Sequence, residues 1–145
     1  MKKIISTTLV FAISIFAGSL FAQQISSEQR IAFQTDNIET FKKAFPKEDY
    51  DKCLGEKNIS YNLLAYSVRF DKKNIFNYLL TNNVDVNKIC SNLSPLMAAA
   101  KFGRPDLAKI LLKKGASKNL KNENGETAKD ISVKYKQAAL TEILK

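Results

Sequence analysis

Apolar residues in this chain fall in pairs of short helical stripes separated by polar, turn-rich loops. Ile31, Ala32 and Phe33 predict a short helix over residues 30–35. Ile38, Phe41 and Phe45 then recur at helical spacing, and Pro46 closes that segment. A third helix is predicted to start near Asn62 and run to Phe70. Its partner, over 72–81, sets Ile75, Phe76, Leu79 and Leu80 on one face. Asn82-Asn83 ends it, asparagine being tolerant of the left-handed conformation. Ser94 is a predicted N-cap, with Pro95 at the first helical position, where a missing N–H costs nothing. That helix stops at Phe102-Gly103. The next opens with Pro105, and Asp106 complements the positive end of its dipole. It buries Leu107, Ile110 and Leu111, and Gly115 terminates it. Thr127 opens a last pair, whose second helix over 136–144 carries Ala139, Leu140, Ile143 and Leu144. Residues 46–60, charged and turn-rich, and 83–93 are expected to be loops.

These segments recur at fixed intervals. Asn62 and Ser94 are 32 residues apart, and Ser94 and Thr127 are 33 apart. A period near ~33 residues with two helices and a turn per unit marks stacked repeats. No single pair covers its own apolar face, so neighbours stack into a continuous core. At least three units are usually needed for that, and four are expected here: 30–58, 59–90, 91–122 and 123–145.

The N-terminal residues read as an export signal. Lys2 and Lys3 precede a mostly apolar stretch over 4–21, interrupted by Ser and Thr, and Ala22 offers a small residue for cleavage. Leu20 departs from the A-x-A pattern, and a retained membrane anchor is the rival reading of the same stretch. No Cys near the cut offers a site for lipid attachment. The expected organisation is a signal peptide over 1–22, a flexible segment over 23–29 and a repeat domain over 30–145. The basic start and the length of the leader point to a bacterial periplasm or secretion.

Composition narrows the chemistry. There are 23 basic and 14 acidic residues, and removal of the leader with its two lysines leaves a net charge of +7. A basic surface favours acidic partners, here a protein with an acidic surface; nucleic acid is not expected outside the cytoplasm. The chain has no His, so His triads, His general bases and His metal sites are excluded. Glu48, Asp49 and Asp51 cluster in a charged loop, where a solvated loop is the preferred reading over an acid pair for glycoside chemistry. Among five glycines no phosphate-binding loop is present. No catalytic residue, metal ligand or cofactor is assigned. Two cysteines, Cys53 and Cys90, suggest a disulfide in an exported chain, with two buried thiols as the alternative.

Ser94-Pro95-Leu96-Met97-Ala98-Ala99-Ala100, followed by Gly103, Leu111-Leu112, Gly115-Ala116 and Asn119, resembles the ankyrin repeat family and its T-P-L-H-x-A signature. Leu64, Leu79-Leu80 and Val84-Asp85-Val86-Asn87 form a weaker copy, and Gly125-Glu126-Thr127-Ala128 starts a closing one. The resemblance implies an all-α fold, a short ankyrin-like solenoid of stacked helix-turn-helix repeats with hairpin loops. Ala65, Met97 and Asp130 stand where the family has its signature His, which implies weaker polar bonding between repeats. Asp71 replaces Gly between the helices of the first clear copy. Successive loops are neighbours in such a fold, which brings Cys53 and Cys90 into reach of a disulfide.

The family commonly binds proteins through its loop tips and first helices. Two adjacent positions close each first helix: Arg69-Phe70, Lys101-Phe102 and Lys134-Tyr135. The repeat stacks them into a column of cations and rings, both frequent at interfaces, with Tyr61 and Tyr66 placed to extend it. The alternative is that the rings fold back onto the next repeat. The reading is a monomeric, non-catalytic protein-binding module without stable membrane insertion after cleavage. From resemblance, its role is that of an immunity or inhibitor protein or a stress-protection factor. The alternative is an envelope-associated structural protein tethered to anionic surfaces by its charge.

Overall fold

The computed structural model describes residues 26–56 and 59–145. The expected signal peptide, its cleavage after Ala22 and residues 23–25 lie outside the described residues. Eight helices are described, in the order α1 (Ser27–Thr35), α2 (Ile38–Ala44), α3 (Leu63–Arg69), α4 (Lys73–Thr81), α5 (Pro95–Phe102), α6 (Pro105–Lys113), α7 (Ala128–Lys134) and α8 (Ala138–Ile143). They form four hairpins. Among the first helices, α3 packs on α5 and α5 on α7; among the second, α2 packs on α4 and α6 on α8.

The hairpins are built alike because the same local chemistry recurs. Ser26, Asn62, Ser94 and Thr127 cap α1, α3, α5 and α7, each accepting a hydrogen bond from the backbone N–H three residues on. Asp36, Asp71, Gly103 and Lys136 occupy one turn position in the four hairpins, and all four are left-handed, with φ of 50°, 53°, 67° and 57°. Only Gly adopts that conformation without a steric cost. The match at Asp36 shows that the first, sequence-divergent hairpin follows the same geometry. A further bond recurs as well: Lys72, Arg104 and Gln137 each donate their N–H to the carbonyl five residues back, at 2.8, 3.0 and 2.8 Å.

The predicted stripes of α4, α5 and α6 face inward, with Ile110 half-buried, whereas Ile31 of α1 and Ala139 of α8, expected on such stripes, are exposed. Ile75, Phe76 and Leu79 of α4 and Leu107 and Leu111 of α6 are buried, as are Leu96 to Ala100 of α5. Fully burying one such large side chain is worth about 1.5–3 kcal/mol, so the core carries most of the stability. At the N-terminal end the core is aromatic. Phe33, Phe41, Phe45 and Tyr50 pack together and reach Tyr66 and Tyr78 of the next hairpin. Burial and the hydrogen bond to Tyr78 push the Tyr50 phenol well above its ordinary pKa.

Three expectations need correction. The chain is helical one turn earlier than expected within 23–29, because Ser26 and Gln29 form a reciprocal capping box that starts α1. The stretch 46–60 is not wholly loop. After a 3-10 turn (Lys47–Asp49) it forms a β-ribbon, β1 (Leu54–Glu56) against β2 (Ile59–Tyr61), antiparallel with Leu54 opposite Tyr61. The structure is therefore mostly helical rather than purely so. α8 is also shorter than predicted, since Lys136 is spent on the left-handed turn.

Polar bonding between hairpins is also plentiful despite the missing signature His. The Asp36 carboxylate accepts from the N–H groups of Asn74 (3.1 Å) and Ile75 (3.0 Å), capping α4 from the neighbouring hairpin where Lys72 offers no side-chain cap. Asp51 accepts from the N–H of Asp85 at 2.8 Å, Asn87 from Ser117 at 2.8 Å and Asn92 from Glu123 at 3.0 Å. Within the second unit the Asn62 amide donates to the Lys88 carbonyl at 2.9 Å and ties the helix start to the following loop. In the last repeat Asp130 turns back to its own helix start, accepting from the Thr127 N–H at 2.8 Å. That bond, first among several, holds its carboxyl below the usual range.

Candidate protein-binding surface

The three predicted pairs lie on adjoining hairpins, and all their side chains but that of Lys134 join in ring–cation contacts. The Arg69 guanidinium stands 5.1 Å from the Tyr61 ring centroid, 4.9 Å from Phe70 and 5.4 Å from Phe102. One hairpin on, the Lys101 ammonium is 5.6 Å from Phe102 and 5.4 Å from Tyr135. The order Tyr61, Arg69, Phe102, Lys101, Tyr135 is an alternating stack of rings and cations across three units. Each cation within about 6 Å of a ring gains roughly 0.5–1 kcal/mol at an exposed site. The stack also holds long side chains in place before any partner arrives, which lowers the ordering cost of binding.

Exposure separates the members. Phe70 is 41% exposed and Tyr135 43%, whereas Arg69, Lys101 and Phe102 are half-buried. Tyr61 and Tyr66, expected to extend the surface, are only 2% and 6% exposed. Tyr66 is held between Phe33 and Phe70, each with centroid 4.6 Å away, and Tyr61 lies beneath Arg69. Both therefore back the stack instead of offering a face of their own. Lys134 pairs with Glu126 at 2.9 Å, so its charge is balanced locally. That hydrogen bond, ahead of one from Asn122, lowers the Glu126 pKa, and it raises that of Lys134.

Beside the stack lies a cleft of about 520 Å³. Tyr61, Lys101, Lys134 and Tyr135 line it on the helix side, and Ser91, Asn92, Glu123 and Asn124 on the loop side. The cystine bridge supports its wall. Cys53 and Cys90 are joined with Cα atoms 5.6 Å apart, and the Ser60 and Ser91 hydroxyls meet at 2.6 Å. The bridge thus ties the β-ribbon that ends in Tyr61 to the loop that carries Ser91.

The acidic cluster is placed elsewhere and is engaged in structure. Asp49 pairs with Lys52, and Asp51 holds the next loop. Among the described residues no group of three or more His, Cys, Asp or Glu is arranged to hold a metal ion.

The family model described as Ankyrin repeats (3 copies) matches residues 30–145. The chain belongs to the ankyrin repeat family. Its proteins typically serve protein–protein interaction without catalysis. This ankyrin repeat protein is also similar to parts of two large curated proteins. It is 38% identical over 73 residues to E3 ubiquitin-protein ligase hecd-1 of Caenorhabditis elegans and 41% identical over 78 residues to E3 ubiquitin-protein ligase Ufd4 of Drosophila melanogaster. Those matches cover 50% and 54% of this chain but 3% of each relative. The likeness is one of repeats, and nothing of a ligase activity comes with it.

The sequence put Arg69-Phe70, Lys101-Phe102 and Lys134-Tyr135 on adjoining hairpins, but it showed neither that Lys101 rather than Lys134 lies by Tyr135 nor what supports the rings. The Glu126 partner of Lys134 lies eight residues away at the other end of α7, and Tyr66, the ring under Phe70, is itself backed by Phe33 of α1. Signals existed for both: Phe33 belongs to the apolar run of α1, and Glu126 sits at the predicted start of a repeat.

Proposed function

We propose that this chain is a non-catalytic protein-binding module, a short solenoid that grips an acidic protein partner along the stack of Arg69, Phe70, Lys101, Phe102 and Tyr135. The observation that carries the reading is the stack itself. Two rings more than 40% exposed, fixed beside two cations on successive repeats, form a surface with both apolar anchors and charge. The polar cleft beside it gives room for a partner loop. We place the action in a bacterial periplasm or outside the cell, as a monomer, on the strength of the basic, apolar leader and the cystine bridge. An immunity or inhibitor role against a toxin or enzyme, or a stress-protection role, fits such a module. Among the described residues no helix is long and apolar enough to cross a membrane.

The test is recovery of partners from an envelope extract, comparing wild type with Phe70→Ala/Tyr135→Ala. The reading requires at least one partner to be lost with the variant; unchanged recovery of every partner removes the stack as the binding surface. A second reading follows from the net charge, +7 once the leader is removed, that of a structural protein tethered to anionic surfaces. Salt separates the two. A charge tether releases at high ionic strength, while a complex anchored by rings largely survives it.

A further inference from the structure

A second cleft, of about 360 Å³, lies between the first two hairpins. Arg30, Phe33 and Gln34 of α1 line one side, and Tyr66, Phe70 and Lys72 the other. Its floor is aromatic and its rim cationic. Phe33 and Tyr66 are buried, Phe70 and Arg30 exposed, and Lys72 half-buried. The Lys72 ammonium donates to the Gln34 carbonyl at 3.1 Å, which fixes its position across the boundary between hairpins. No carboxylate lines the cleft, and among the described residues neither Arg30 nor Lys72 belongs to an ion pair. Ile31, 49% exposed, lies three residues before Gln34 and so on the same helical face, adding apolar surface at the edge.

This combination selects one chemistry. A purely apolar ligand leaves two cations facing it. A purely anionic one leaves the rings unused. Arginine offers a planar fork that a carboxylate matches with two hydrogen bonds, and lysine adds a point charge beside it. We infer that this cleft receives an acidic peptide segment of the protein partner, with an aromatic or large apolar side chain seated against Phe70, which Tyr66 and, behind it, Phe33 support from below. A neighbouring carboxylate lies between Arg30 and Lys72. The inference rests on the protein-binding reading and gives that partner its local sequence character: a bulky apolar residue flanked by Asp or Glu.

The experiment is a titration of the isotope-labelled protein followed by amide NMR. The probes are the peptides acetyl-Asp-Phe-Asp-amide, acetyl-Asn-Phe-Asn-amide and acetyl-Asp-Ala-Asp-amide, with phenylacetate as a free aromatic acid. The first peptide shifts the amides around Arg30, Gln34, Phe70 and Lys72 in a saturable way. Its affinity falls by about fivefold or more when both Asp are replaced by Asn or Phe by Ala, roughly 1 kcal/mol. Arg30→Gln/Lys72→Gln, whose folding is checked by circular dichroism, shows the same loss. Phe70→Leu, which keeps apolar area, retains most of the binding. The inference is overturned if no saturable shift appears at these residues, if the Asn peptide binds equally, or if the shifts centre on Lys101 and Lys134. Phenylacetate binding as tightly as the peptide overturns the peptide as occupant. Lys101→Gln/Tyr135→Ala disarms the stack without touching this cleft and leaves the titration unchanged. Phe70 belongs to both surfaces, so the two are read separately through Lys101→Gln/Tyr135→Ala for the stack and Arg30→Gln/Lys72→Gln for the cleft, recovery of the partner being compared for each.

Discussion

Replacing Cys53 by Ser and Cys90 by Ala removes the covalent link between two successive loops. The bridge spans a sequence separation of 37 residues. Restricting a loop of that length in the unfolded chain is worth about 4 kcal/mol at 25 °C by the loop-closure relation. The folded state has other ties at the same place. Ser60 donates its N–H to the Ser91 hydroxyl at 2.9 Å, Asp51 holds the N–H of Asp85, and Asn62 holds the Lys88 carbonyl. The loops therefore keep their arrangement without the bridge, and the loss falls mainly on the unfolded side. Cys53 is exposed and Cys90 buried, so Ser and Ala respectively avoid a new unsatisfied polar group at the buried site. The assay is urea unfolding of the oxidised protein and the double variant, with ellipticity as the signal. The expected result is a loss of about 3–4 kcal/mol, which is a large part of the ~5–15 kcal/mol typical of a domain. A loss below about 1 kcal/mol refutes the loop-closure reasoning for this bridge.

Asp36→Ala removes the cap that the first hairpin lends to α4 and should cost about 1 kcal/mol, read from the urea midpoint; an unchanged midpoint contradicts the cap. Gly103→Ala should destabilise by about 1 kcal/mol or more, because φ is 67° and an added Cβ stands 2.7 Å from the Gln137 side-chain oxygen. Asp71→Gly at the equivalent turn, where φ is 53°, should be neutral to stabilising in the same assay. The Glu126 carboxyl has a folded pKa below its ordinary 4.5. Its stabilising effect is therefore fully present above that ordinary value and lost as pH falls through the lowered one. Thermal melts should show a shallower acid-side fall in Glu126→Gln than in wild type, and superimposable profiles contradict the assignment.

Local chemistry was readable in the sequence, and contacts across hairpins were not. Ser94-Pro95, Gly103 and Pro105 fix helix starts and stops through backbone rules that act within a few residues, so α5 and α6 were legible almost to the residue. The first hairpin was legible only as a degenerate copy, because Asp36 hides a left-handed turn that Gly marks only at Gly103. The β-ribbon was expected only as a hairpin loop in a charged stretch, and its strand pairing was not legible because its β2 end is fastened to a loop 31 residues away through Ser60 and Ser91. Tyr61 and Tyr66 looked like surface residues by position along the repeat. Their burial follows from Phe33 and Arg69 arriving from other elements. The cystine pairing was anticipated because repeat stacking makes successive loops neighbours. The bonds that replace the signature His were not, since Asp36, Asp51, Asn87 and Asn92 act on residues about one repeat away.

The central claim is that the exposed rings and fixed cations on successive repeats hold a protein partner. The most direct measurement is quantitative recovery of envelope proteins on wild type and on Phe70→Ala/Tyr135→Ala, at low and high salt. The account predicts a partner retained by wild type at both salt concentrations and lost with the variant. A set of bound proteins that is identical for the two forms, or that vanishes from wild type as soon as salt is raised, contradicts it.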